Sequence, residues 1–164
     1  MTTALRSDDD APLVLRHDAQ GVATLTLNRP AALNALSTAM MTELQGALDA
    51  IAADRAVHVV VIAGHGRGFC AGHDLKEIMA DRRDETFTAL LAQCSHLMTS
   101  VVRLAKPVIA RVHGIATAAG CQLVAACDLA VASHDARFAT PGVNIGLFCS
   151  TPMVALSRNV ARKH

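Results

Sequence analysis

Two loops of small residues are the places where this sequence could do chemistry. Residues 69–75 read FCAGHDL and residues 113–121 read HGIATAAGC, and each loop follows an apolar, β-branched run. In both, a predicted strand gives way to a predicted helix, and free N–H groups at a helix start favour negative charge. Two such groups that converge on one oxygen atom form an oxyanion hole. Small residues here would equally allow a strand and a helix to pack closely, so both interpretations stay open.

The glycine-rich stretch 64–69, GHGRGF, matches no nucleotide-binding motif. A dinucleotide fingerprint needs a third glycine where this chain has Phe69, and a helix should begin there. A P-loop needs Lys followed by Ser or Thr after its glycines, and that pair is missing. A nicotinamide, flavin or nucleoside triphosphate site is therefore not predicted.

The eight histidines and five cysteines show no spacing typical of a metal site. No HExxH, HxH or CxxC pair occurs, so no metal is expected. His73 lies inside the first loop, where a capping or surface role competes with a functional one. Cys70 has no base predicted beside it and is interpreted as a buried structural thiol rather than a nucleophile. The odd number of cysteines indicates reduced thiols and a cytoplasmic protein.

The elements that position these loops alternate between strands and helices. A hairpin is predicted over 12–17 and 22–27, with Gly21 as the left-handed residue of its turn. Further strands are predicted over 59–62, 108–112 and 128–133, and helices over 38–53 (capped by Ser37), 75–80, 84–104, 121–127 and 151–162. This order predicts an α/β fold with mostly parallel strands.

Helix 84–104 is predicted to turn seven apolar residues inward: Phe87, Leu90, Leu91, Leu97, Met98, Val101 and Val102. Residues 1–11 are predicted to be a disordered, partly acidic leader, and residues 12–164 one core domain.

Composition excludes several classes of protein. A hydrophobic content of 52%, 18% charged residues and a net charge of +1 fit a globular core and favour neither nucleic acid nor a membrane surface. No apolar run approaches 18 residues, so no transmembrane helix is predicted. The chain has no Trp and no Tyr, which excludes an aromatic platform for stacking bases.

With their flanking segments, the two loops resemble the crotonase superfamily of enoyl-CoA hydratases and isomerases. The resemblance also covers LNRP at 27–30, LNAL at 33–36, KPVIA at 106–110, CD at 127–128 and FATP at 138–141. These segments follow the family's order from about residue 13 to the chain end. The resemblance implies a spiral of ββα units and an acyl-CoA thioester ligand, in fatty acid metabolism. No cofactor is implied, since coenzyme A enters as part of the substrate.

In this resemblance, the backbone N–H groups of Ala71 and Ala119 would hold the thioester oxygen. The residues implied to bind substrate and CoA are Ala31, Ala32, Leu33, Ala71, Gly72, His73, Asp74, Leu75 and Pro141. The family builds trimers, so a homo-oligomer is expected.

Two positions depart from the family's hydratases. Those enzymes carry one glutamate just after the second loop and another after the Pro of the later turn, where this chain has Gln122 and Gly142. Hydration needs a group that takes a proton from water and one that supplies a proton to carbon, and such help is worth about 10²–10⁴-fold. His73 and Asp74 are candidate substitutes, although Asp74 in such a turn more often fixes the loop by Asx-type bonding.

Relatives continue well past the equivalent of His164, through helices that close the acyl pocket, so this chain is expected to be incomplete at its C-terminal end. Three hypotheses follow. The first is an enzyme that acts on an acyl-CoA thioester through an enolate, with hydration doubtful. The second is a non-catalytic acyl-CoA-binding or regulatory relative, and the third is a fragment that binds nothing.

Overall fold

The structure is a computed structural model that describes residues 11–161 and residue 163. Apart from Ala11, the predicted leader lies outside the described residues. The strands are β1 (Val14–Ala19), β2 (Val22–Leu27), β3 (Val59–Gly64), β4 (Val108–Val112), β5 (Ile115–Thr117), β6 (Leu129–Ala132) and β7 (Arg137–Ala139). The α-helices are α1 (Thr38–Ala53), α2 (Leu75–Ala80), α3 (Asp84–Arg103), α4 (Ala119–Ala126) and α5 (Ser150–Asn159), with 3₁₀ turns at Pro30–Ala32 and Pro141–Ile145.

Strands β1, β2, β3, β4 and β6 form one sheet in that order. β1 pairs antiparallel with β2, and each later neighbour pairs parallel with the one before it. Helices cross over between the parallel strands, as such pairing requires. The predicted α/β fold with mostly parallel strands is confirmed.

The hairpin turn between β1 and β2 has the backbone that the sequence predicts. Gly21 has φ +79° and Gln20 has φ +51°, so both central residues are left-handed, the arrangement of a two-residue hairpin turn. The O of Gly21 accepts the N–H of His58 at 2.7 Å, which ties the hairpin to the start of β3.

Helix α1 supplies one wall of the core. The Oγ of Ser37 accepts the N–H of Met40 at 3.2 Å, as predicted for its N-cap. The predicted apolar stripe is fully buried and consists of Met40, Met41, Leu44, Leu48 and Ile51. It packs among the buried side chains of β2 and β3, which alternate along each strand.

Helix α3 turns a narrower stripe inward than predicted. Leu90, Leu97, Met98 and Val101 are buried as expected, together with Cys94. Phe87 is 38% exposed and Val102 is 64% exposed, so neither is buried as predicted. At about 100° per residue Val102 falls outside the arc that faces the core, whereas Phe87 falls within that arc but lies in the first turn of the helix, before the first buried position, Leu90.

The second predicted loop contains a strand that the sequence analysis missed. β5 begins directly after Gly114, whose φ is +57°, and pairs parallel with β7 in a separate two-stranded sheet. Helix α4 consequently starts at Ala119 rather than at the predicted residue 121. Among the described residues, no helix combines the length and the apolar character needed to cross a bilayer.

The C-terminal third leaves large apolar side chains exposed. Leu129 and Val131 of β6, Phe138 of β7 and Phe148 are each between 47% and 70% exposed. Strands β2 and β3, by contrast, bury alternate side chains in the core.

Candidate functional site

The two loops singled out in the sequence lie against each other. Cys70 donates its N–H to the O of Ile115 at 3.0 Å and accepts the N–H of Thr117 at 2.9 Å. The hydroxyl of Thr117 donates to the O of Ala71 at 3.0 Å. The loop after β3 is therefore bonded along β5, immediately before helix α4.

A cavity of about 730 Å³ opens where these loops meet. Of the residues predicted to bind substrate, Ala31, Ala32, Ala71, His73, Asp74, Leu75 and Pro141 line it, as do Ala119 and Gly142. Leu33, Gly72 and Gln122 do not line it. Gly72 instead packs against the start of α4, where an added Cβ would lie 3.2 Å from the N of Ala119.

The backbone N–H groups at the cavity require a correction to the sequence prediction. The N–H of Ala71 donates to the O of Leu33 at 3.0 Å, so it is already occupied and is not a free donor. The N–H groups of His73 and Ala119, by contrast, have no hydrogen-bond partner in the part of the chain that the structure describes. For His73 the reason is its pairing with Leu36. Leu36 forms backbone hydrogen bonds with the residues before and after His73, so the N–H of His73 itself points away from Leu36.

Asp74 holds the first loop in place. It caps α2, where its Oδ1 accepts the N–H groups of Lys76 at 2.9 Å and Glu77 at 3.4 Å. Its Oδ2 accepts from the Arg29 guanidinium at 2.5 Å. Burial alone would raise the pKa of the Asp74 carboxyl, but the Arg29 hydrogen bond and the two N–H donors outweigh it and hold that pKa below its usual value. The predicted Asx-type role is confirmed.

Replacement of Asp74 with Asn isolates the ion pair, because Asn is an equally good helix cap. We expect Asp74→Asn to lower the free energy of unfolding at pH 7 by about 1–2 kcal/mol, through loss of the charged hydrogen bond. Since the folded pKa of Asp74 is depressed, its contribution is present above the ordinary carboxyl pKa of about 4 and is lost as the pH falls further. The difference from wild type should therefore shrink below about pH 4 in urea titrations.

The exposed Asp49, changed to Asn, is the control and should alter stability by less than about 0.5 kcal/mol. A difference for Asp74→Asn that stays constant from pH 7 to pH 3 would contradict the assignment of the charge pair.

His73 adds an imidazole to the cavity wall. Its Nδ1 is buried and has no partner among the residues described. Burial lowers the pKa of His73, so the ring is neutral at pH 7. A neutral imidazole can accept or donate a proton, whereas the Cys70 thiol is inert, because burial raises its pKa to about 12.

One short segment of the chain contacts both positions at which the family's hydratases carry a glutamate. The Oε1 of Gln122, which is only 6% exposed, accepts from the hydroxyl of Thr151 at 2.9 Å. A Cβ added to Gly142 would lie 2.6 Å from the Sγ of Cys149 and 2.6 Å from the O of Leu147. Cys149 and Thr151 both line the cavity, and their involvement had no signal in the sequence.

Asn34 has a positioning role that the sequence analysis missed. It is fully buried, and its Nδ2 donates to the O atoms of His65, Gly68 and Phe69 at 2.9–3.1 Å. Its Oδ1 accepts the N–H of Arg29 at 2.9 Å. Asn34 thus fixes the glycine-rich loop that leads to the cavity. The sequence analysis included Asn34 in the LNAL segment of the resemblance but predicted no role for its side chain.

Comparisons with known proteins show the family and the fold of this chain. The enoyl-CoA hydratase/isomerase family model matches residues 17–164. The Xenopus laevis protein named enoyl-CoA hydratase domain-containing protein 3, mitochondrial, is 49% identical over 152 residues, covering 93% of this chain and 52% of that protein. The 2,3-dehydroadipyl-CoA hydratase of Escherichia coli (strain K12) is 41% identical over 128 residues, covering 78% of this chain and 49% of that protein.

Among solved structures, an enoyl-CoA hydratase from Mycobacterium smegmatis superposes with a TM-score of 0.91 at 61% identity. The match covers 93% of this chain and 60% of that one. The chain spans about half the length of the curated relatives it matches.

Proposed function

Because the chain belongs to the enoyl-CoA hydratase/isomerase family, we propose that its cavity binds an acyl-CoA thioester and polarises the thioester carbonyl towards an enolate. The predicted family membership and crotonase-type α/β fold are confirmed by the match over residues 17–164 and by the TM-score of 0.91. The ligand and the chemistry are proposals that rest on the site.

The observation that carries the proposal is a pair of unpaired backbone N–H groups beside one cavity. His73 and Ala119 both line it, and their N–H groups have no acceptor in the described part of the chain. Ala119 is buried and His73 is half-buried. Because N–H groups shielded from water are almost always paired, two unpaired ones at one cavity favour an oxygen ligand. A thioester oxygen held by both would be stabilised as its negative charge develops. We assign the first donor to His73 in place of Ala71, whose N–H is bound to Leu33.

The cavity lining also suits the remainder of the ligand. Ala31, Ala32 and Leu75 are apolar, and Lys76 brings a positive charge, whereas the charge of Arg29 is paired with Asp74. Lysine and arginine suit the phosphates of coenzyme A. The Escherichia coli relative is named for an acyl-CoA substrate, which supports this class of ligand.

A second function, binding of acyl-CoA without turnover, is favoured by one specific observation. Gln122 and Gly142 offer no carboxylate at the positions that activate water in the family's hydratases. An amide has no pKa that suits proton transfer, so hydration should be slow even when the carbonyl is polarised. Both functions share the ligand, and only turnover separates them.

We extend the proposal to a homo-oligomer, as in the resemblance. The exposed large apolar side chains of β6, β7 and Phe148 support it, because a partner chain would remove such side chains from water.

The proposal is tested with a thioester and a matched thioether. Butyryl-CoA should bind the 164-residue chain about 10-fold or more tightly than S-butyl-CoA, which lacks the carbonyl oxygen, because charge-assisted hydrogen bonds are the strong ones. Calorimetric titration gives both affinities. Cinnamoyl-CoA, whose absorbance moves to longer wavelength when its carbonyl is polarised, gives an independent signal. Equal affinities together with an unchanged cinnamoyl spectrum would refute the two-donor site.

A further inference from the structure

Helix α2 borders two cavities. Its Lys76 lines the cavity of about 730 Å³ described above, here called the main cavity. Its Glu77 lines a second cavity of about 220 Å³, together with Thr38 at the start of α1 and residues of the first half of α3. Successive side chains of a helix point about 100° apart, so empty space lies on two sides of this short helix.

Helix α2 is also weakly packed. None of its six residues is buried, and Leu75 and Met79 are 50% and 58% exposed. Ile78 is the one side chain of α2 that packs partly against the hydrophobic core. Among the described residues, α2 is the only α-helix that does not pack extensively on another helix or strand. Segments with few buried apolar contacts open locally at a low cost in free energy.

The two ends of α2 are held by side chains. At its start, Asp74 caps the helix and accepts from the Arg29 guanidinium at 2.5 Å. Just past its end, Asp81 accepts from the hydroxyl of Thr86 at 2.8 Å, which ties that end to α3. The helix can therefore move away from its present position while both ends stay attached.

A single hydrogen bond holds the middle of α2 to α1. The Oε2 of Glu77 accepts the N–H of Thr38, the first residue of α1, at 2.9 Å. Within the part of the chain that the structure describes, it is the only hydrogen bond between these two helices. The bond is exposed, and water can replace either partner, so it breaks at a low cost.

We propose that α2 is a gate for the main cavity: it opens when the Glu77–Thr38 hydrogen bond breaks, and it closes when an acyl-CoA is bound. The inference rests on the proposed acyl-CoA function. Leu75 and Lys76 line the main cavity and move with α2, so a ligand contacts both side chains only when α2 is closed. A ligand shifts an equilibrium towards the state that it contacts better, so an acyl-CoA favours the closed position.

Hydrogen exchange of the ligand-free 164-residue chain tests the opening. A six-residue helix is too short to persist once it is detached, so each opening exposes its amides. The amides of residues 78–80 should be protected about 100-fold less than those of Leu44 and Leu48 in α1. Glu77→Ala should lower the protection of α2 by a further factor of about 5, the value of one hydrogen bond.

Stopped-flow mixing with cinnamoyl-CoA tests the gating, since the absorbance of this ligand reports its binding. Glu77→Ala should raise the association and dissociation rate constants by the same factor of about 5 and leave the dissociation constant unchanged. The reason is that the lost hydrogen bond holds α2 closed in the free chain and in the complex alike. A merely structural effect on the site would instead raise the dissociation rate constant alone and weaken binding.

Ala89→Leu should have the opposite effect. Ala89 lies on α3 and lines the second cavity, where a leucine would fill part of the space and give α2 a surface to pack on. It should lower both rate constants about 3-fold or more, because the added apolar contact stabilises the closed position.

Glu43→Ala is the matched control. The Oε2 of the exposed Glu43 accepts the N–H of Val14 at 3.0 Å, which is the same kind of bond, and Glu43 lines neither cavity. This variant should keep the wild-type protection of α2 and both wild-type rate constants.

The outcomes separate this inference from the function on which it rests. Protection of residues 78–80 equal to that of Leu44 and Leu48 would overturn the gate, as would rate constants that neither Glu77→Ala nor Ala89→Leu changes. Either result leaves the acyl-CoA proposal intact, because cinnamoyl-CoA still binds. A wild-type chain that binds no cinnamoyl-CoA would overturn the proposed function and, with it, the gating of an acyl-CoA.

Discussion

Replacement of Gln122 with Glu is expected to raise the rate at which this chain hydrates crotonyl-CoA by about 10²-fold or more. The introduced carboxylate can take a proton from water, which the present amide cannot do. Its side chain would occupy nearly the same volume, and the hydroxyl of Thr151, now 2.9 Å from Oε1, can donate to a carboxylate equally well. The measurement is loss of the enoyl absorbance in a single-turnover assay.

Gln20→Glu is the matched control, since Gln20 is exposed in the β1–β2 turn and lies outside the cavity lining. It should leave the rate at the wild-type level. Wild-type turnover as fast as that of the Gln122→Glu variant would instead show that the site has another base. The neutral imidazole of His73, which lines the cavity, would then be the first candidate.

A glutamate at Gly142 is not expected to add to this gain. A Cβ there would lie 2.6 Å from the O of Leu147, a backbone atom that cannot swing aside as a side chain does. The same turn is closed by the N–H of Leu147, which donates to the O of Gly142 at 2.8 Å. Restoring the second carboxylate therefore requires the turn itself to move. For this reason the single variant tests the chemistry better than a double one.

Replacement of Gly120 with Ala is expected to lower the free energy of unfolding by about 3 kcal/mol, at the upper end of the usual cost of overpacking. Gly120 packs directly on the first loop, where an added Cβ would meet the O of Cys70 and would lie 2.8 Å from its carbonyl carbon. Cys70 is fully buried and hydrogen-bonded along β5, so it cannot retreat. The two loops would have to separate, which should also weaken binding of butyryl-CoA.

Gly46→Ala is the opposite case and serves as the control. Gly46 is exposed in the middle of α1, and nothing lies within 4 Å of its added Cβ. Alanine there should stabilise the chain by about 0.5–1 kcal/mol, the usual difference in helix propensity. Guanidinium titrations of both variants measure the two effects. A Gly120→Ala variant as stable as wild type would contradict the close approach of the loops.

The sequence by itself determined the features that depend on neighbouring residues. The buried stripe of α1 follows from its three-to-four spacing, and the cap at Ser37 from the hydroxyl side chain before a helix. The left-handed turn at Gly21 and the capping role of Asp74 are local in the same sense. Alternation of strands and helices was enough to predict the parallel sheet. The resemblance added the family and the expectation that the two loops hold an acyl-CoA thioester.

Only the tertiary structure decided which backbone N–H groups are unpaired and which side chains are in contact. Ala71 and His73 are two residues apart in one loop, yet the first N–H is bound to Leu33 and the second is unpaired, because that outcome depends on a segment more than thirty residues earlier. The contact between Gln122 and Thr151, and the closure of Gly142 by Cys149, likewise join residues that no local pattern relates. Periodicity and capping report on neighbours along the chain, whereas the availability of a donor depends on everything that packs against it.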